Sequence, residues 1–70
     1  NYNNVHIEID TSDSLKKLYE RIKEKGDSKI KISIAEQHKN YLFKLKDKRK
    51  FDYETLKHLN QEPYIKKISV

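Results

Sequence analysis

The sequence predicts a small α+β module in the order strand, helix, strand, strand, helix, strand, on three observations. Apolar residues alternate with polar ones at Val5, Ile7 and Ile9, and again at Ile30, Ile32 and Ile34, the two-residue period of strands with one buried face. Between these runs Leu15, Leu18, Tyr19 and Ile22 recur at the three-and-four spacing of a helix. A third strand, a second short helical segment and a last apolar run complete the chain. Because the hydrophobic 34% is placed so regularly, folding is expected even though 39% of residues are charged. Seventy residues suffice for one domain, residues 1–70. Its margin of stability is about 4–10 kcal/mol, so the core must be fully used.

The elements follow in order. Strand one carries Val5, Ile7 and Ile9 inward and His6, Glu8 and Asp10 outward. Thr11-Ser12-Asp13-Ser14 supplies side-chain oxygens to cap helix one, and Gly26 is expected to close it in a left-handed conformation. Strand two spans Ile30 to Ile34. The apolar-free stretch Glu36 to Asn40 then makes a turn, with Asn40 taking the positive φ. Strand three, Tyr41 to Leu45, places Tyr41, Phe43 and Leu45 on one face and Leu42 and Lys44 on the other. Asp52 caps helix two, Phe51 staples onto Leu56, and Leu56 and Leu59 point inward. Pro63 stops that helix. Tyr64, Ile65, Ile68 and Val70 form strand four, with a bulge near Lys66 and Lys67.

This βαββαβ order is that of the ferredoxin-like split βαβ fold, an open-faced sandwich whose helices cover one side of the sheet, with a three-stranded variant as the alternative. There is no cysteine, no apolar run near the roughly 20 residues of a membrane span, and a polar start at Asn1 to Asn4 unlike a signal peptide. A cytoplasmic protein, or a piece of one, is expected.

The residues also bound the chemistry. Glu8 and Asp10, two apart on strand one, are the sharpest catalytic pair, able in principle to present two carboxylates to a divalent metal. No third acid lies nearby, and in the ferredoxin-like order strand one lies beside strand three, where Lys44 and Lys46 pair with these carboxylates. The expected reading is therefore a solvated charge array, with no catalytic residue, metal or cofactor. His6, His38 and His58 match no ligand spacing, and the serines lack the glycines of a nucleophile elbow or phosphate loop. An RNA-recognition platform is disfavoured because strand one shows carboxylates where bases would stack.

The formal net charge is +5, but Lys, Asn and Ile are abundant while Gly occurs once, a bias that AT-rich coding produces, so charge alone is weak evidence for a phosphate partner. The densest cluster is Lys44-Leu45-Lys46-Asp47-Lys48-Arg49-Lys50. Lys44, Lys46, Lys48, Arg49 and Lys50 are candidate contacts to DNA or a partner; the bland reading is a solvated connection.

From Val5 to Val70 the chain resembles the C-terminal domain of the catalytic alpha subunit of bacterial DNA polymerase III. The residues that carry the resemblance are Ile7-Glu8-Ile9, Leu15-Lys16-Lys17-Leu18, Lys31-Ile32-Ser33-Ile34, Tyr41-Leu42-Phe43-Lys44-Leu45, Phe51 through Leu59, and Ile65-Lys66-Lys67-Ile68. The chain departs from the family where Pro-Gly often precedes the basic residue after strand three, here Lys46-Asp47-Lys48, and where Gly-Val often stands, here Pro63-Tyr64. The resemblance implies the C-terminal module of a longer DNA-directed DNA polymerase whose catalytic acids lie in another domain. The module itself would tether the polymerase to the clamp-loader tau subunit, near single-stranded DNA. Leu42, Tyr53 and Tyr64 are then candidate partner anchors. A stand-alone nucleic-acid-binding module using residues 44–50 is the alternative.

Overall fold

The computed structural model describes residues 2–70. Among these residues the chain is an α+β open-faced sandwich of four strands and two helices in the expected βαββαβ order. Strand β1 (Asn4–Ile9) leads through a single 3-10 turn (Ser12–Ser14) into α1 (Leu15–Arg21). Strands β2 (Lys25–Glu36) and β3 (Lys39–Lys44) form a hairpin, followed by α2 (Tyr53–Leu59) and β4 (Ile65–Ser69).

The sheet order is β3-β2-β1-β4, with β1 parallel to β2 and antiparallel to β4. The expectation that strand one lies beside strand three is therefore corrected. Val5, Ile7 and Ile9 stand level with Ile30, Ile32 and Ile34, so direct parallel pairing of β1 and β2 builds one continuous apolar surface. Strand β3 is left at the edge.

That surface is the core. Val5, Ile7, Ile9, Ile30, Ile32 and Ile34 pack beneath Leu18 and Ile22 of α1, Phe51, Leu59 of α2, and Tyr64, all buried. Burying each large apolar side chain contributes about 1.5–3 kcal/mol before the entropy of ordering it is counted. The helices cover only part of the sheet, and every residue of β3 is exposed. Tyr41 and Phe43 share the inward face with Ile34 and Ile32 but remain 40% and 37% exposed. The bulge foreseen near Lys66 is present, since Glu8 pairs with Lys67 but Ile9 with Ile65.

Three local expectations are corrected. Helix α1 ends at Arg21, whereas Gly26 lies within β2 and has no positive φ. Its missing side chain serves a close approach instead: a Cβ there would meet Lys50 Cα at 2.5 Å. Backbone bonds from Gly26 N to Lys48 O, 3.3 Å, and from Lys50 N to Glu24 O, 2.8 Å, hold the two segments together. In the hairpin, Gln37 and His38 take φ of 51° and 63°, while Asn40 is already paired with Ala35. A two-residue connection with both central residues at positive φ follows the right-handed twist of its strands. At the entry to α1 no serine or threonine side chain caps the helix. The Asp10 carboxylate accepts from Thr11 N at 2.6 Å and Ser14 Oγ at 2.9 Å, organising the turn from the strand side.

Helix α2 begins as the sequence indicates, with the Asp52 carboxylate accepting from both the amide and the hydroxyl of Thr55 at 2.9 Å. Among the described residues, no helix is long and apolar enough to cross a membrane.

Candidate interaction surfaces

The sheet face opposite the helices is built from the polar positions of the same strands. One row across it runs Ser69, His6, Lys31, Lys44, and the next runs Lys67, Glu8, Ser33, Leu42. Each row follows from register, because residues level with one another on neighbouring strands point to the same side. Two different surfaces result.

The first is a groove of about 710 Å³ at the end of the sheet where β1 starts and β4 finishes. Lys29 and Lys31 of β2, Lys44 of β3, and Lys46 and Lys48 of the following loop line it, beside His6, Leu45 and Val70. Among the described residues, no Asp or Glu lines the groove. Among the described residues, none of these five lysines forms a salt bridge. Lys31 and Lys44 are direct cross-strand partners, a like-charge pairing that weakens the hairpin. His6 Nε2 shares a 2.9 Å hydrogen bond with Ser33 Oγ, which holds its ring over β2.

The basic stretch 44–50 thus divides. Lys44, Lys46 and Lys48 reach the groove, but Arg49 donates from Nη1 to Ile22 O at 3.0 Å and pairs its backbone with Lys25 and Ser28. Lys50 Nζ lies 3.6 Å from Glu24 and 3.9 Å from Asp52. Arg49 and Lys50 therefore join the loop to the body of the domain and do not line the groove. Lys29 and Lys31 take their place. Their signal was present in the sequence, as the polar half of the Ile30, Ile32, Ile34 alternation, but nothing local tells which strand lies next to them.

The second surface is the β3 edge. Leu42 is 59% exposed on the open face, above a shallow hollow of about 270 Å³ bounded by Glu8, Ser33 and Tyr41 among others. Tyr41, Leu42 and Phe43 place three large apolar side chains in succession on the edge strand, whose outer backbone groups are unpaired in the sheet. Tyr53 is 65% exposed on α2, with Lys57 Nζ 5.9 Å from its ring centroid, so it lies on the helical side and cannot share a patch with Leu42.

Tyr64 is only 6% exposed and belongs to the core. That corrects its reading as a partner anchor: Pro63 and the turn before β4 bring it beneath the helices, where its hydroxyl has no hydrogen-bond partner among the described residues. Burial, with Glu62 nearby, holds the phenol above its ordinary pKa.

Glu8 and Asp10 do not act as a pair. Glu8 stands opposite Lys67, whereas Asp10 follows the end of β1 and its carboxylate is engaged by Thr11 and Ser14. The Ser14 hydroxyl, more than any other neighbour, holds Asp10 below the ordinary carboxylate range. The expected pairing of these acids with Lys44 and Lys46 is overturned, since β2 separates β1 from β3. Among the described residues, no three metal-ligating side chains converge. No family model, no curated protein and no solved structure matches the chain.

Proposed function

We propose that this chain is a non-catalytic interaction module, the C-terminal domain of a bacterial replicative DNA polymerase alpha subunit, and that it tethers the polymerase to the clamp-loader tau subunit. The observation that carries the reading is strand β3. It contributes Tyr41, Leu42 and Phe43 to the surface while the core beneath α1 and α2 is complete without them. A sheet edge with exposed apolar side chains is suited to accept an extended peptide, whose backbone pairs with the edge and whose side chains enter neighbouring hollows. The hollow beside Leu42 is such a place. The sequence resemblance supports the same assignment, because its quoted segments supply both the core strands and this edge.

The test is titration of the chain with the tau subunit from the same organism, followed by calorimetry. Binding at or below about 50 µM that Leu42→Asp abolishes supports the tether. Absence of binding at that concentration refutes it.

A further inference from the structure

We infer that the groove at the open end of the sheet binds the backbone of single-stranded nucleic acid, through Lys29, Lys31, Lys44, Lys46 and Lys48. The inference rests on the groove's geometry and stands apart from the tether, which uses the other half of the β3 edge. Three observations carry it. The groove gathers five lysines and, among the described residues, no Asp or Glu, in a chain that has 11 Asp and Glu residues to distribute.

The second observation is energetic. Lys31 and Lys44 face each other across the hairpin, a repulsion that folding creates and that no Asp or Glu in the groove offsets. A polyanion relieves it. Elsewhere on the same hairpin Glu36 stands opposite Lys39, so the strands do accommodate complementary charges where no ligand is involved.

The third observation chooses among polyanions. Leu45 and the 58% exposed Val70 give the groove apolar surface between the lysines. A single strand presents both phosphates and unstacked base faces, and gains from both kinds of surface; a duplex keeps its bases stacked inside and gains only from the charge. Among the lining residues only His6 has a ring to stack on, so recognition follows the backbone with little base preference.

The experiment is fluorescence anisotropy of a labelled twelve-nucleotide oligothymidylate, and of a duplex of equal length, titrated with this chain from 50 to 200 mM salt. If five lysines each neutralise one phosphate, log affinity falls against log salt with a slope of about −3.5, so affinity drops about 100-fold over that range. Lys31→Gln combined with Lys44→Gln reduces the slope to about −2.1. Lys16→Gln combined with Lys17→Gln, the same charge change on α1, leaves it at the parent value. Thermal unfolding establishes that both variants are folded, and the midpoint of the groove variant rises because the like-charge pair is gone. Equal slopes for the two variants, duplex binding as tight as single-strand binding, or no binding at 50 mM salt would each overturn the inference.

Discussion

The backbone of Lys50 passes so close to Gly26 that a methyl group on the glycine would stand 2.5 Å from both Lys50 N and Lys50 Cα. Neither atom belongs to a flexible side chain, and the crossing is fastened by the bond from Lys50 N to Glu24 O. Gly26→Ala should therefore destabilise the domain by about 1–3 kcal/mol, the usual range for overpacking. At an unconstrained strand position the same change is favourable, since alanine loses less backbone freedom on folding. The sign of the shift in urea midpoint decides between these outcomes.

A second prediction concerns acid. The Thr55 amide and hydroxyl hold Asp52 below the ordinary carboxylate range, and the Ser14 hydroxyl does the same for Asp10. Both depressed values mean that the native state favours the ionised form. Their stabilisation is present above the ordinary carboxylate value of about 4 and is lost as pH falls through the lower folded values. The thermal midpoint should decline below about pH 4, and less steeply in Asp52→Asn, which keeps a capping oxygen without the charge. An identical acid limb in that variant would remove Asp52 from the account.

The buried hydroxyl of Tyr64 gives a third. It has been taken from water without a compensating partner, at a cost of about 1–3 kcal/mol. Tyr64→Phe keeps the ring in the core and removes the unpaired group, so thermal unfolding should show a midpoint equal to or above that of the parent. A fall of several degrees would mean that the hydroxyl is bonded in solution.

Leu42 supplies the fourth. Because its side chain is 59% exposed, Leu42→Ser should change stability by no more than about 0.5 kcal/mol. The tether requires the same variant to weaken tau binding at least tenfold, measured by calorimetry against the parent chain. Unchanged affinity would separate Leu42 from the partner surface.

The strands and their buried faces were legible because each period is local: Ile7 and Ile9, or Ile32 and Ile34, declare their side of the sheet by spacing alone. The cap at Asp52 was legible for the same reason, with its acceptor and donor three residues apart. Neighbour relations were not. Whether β1 lies beside β2 or β3 depends on the match of whole apolar faces, and that choice moved Lys29 and Lys31 into the groove and took Glu8 away from Lys44. Glycine misled in a related way: Gly26 looked like a helix terminus, but its smallness is needed by Lys50, distant along the chain. Tyr64 stands among the partner anchors that the resemblance implies, yet the turn after α2 carries it inward.

The sheet order also has a consequence for how the chain is made. Synthesis produces β1 early, and the strand obtains β2 as a neighbour soon afterwards, but its other flank stays open until Ile65–Ser69 has left the ribosome. Until then the backbone of His6 and Glu8 presents an unpaired edge in the middle of what will be the sheet. Closure is a long-range event that brings together opposite ends of the domain, slower than any hairpin or helix within it. The nascent chain is thus most vulnerable to mispairing just before its last strand arrives, and a binding factor that covers that edge would act in the same interval.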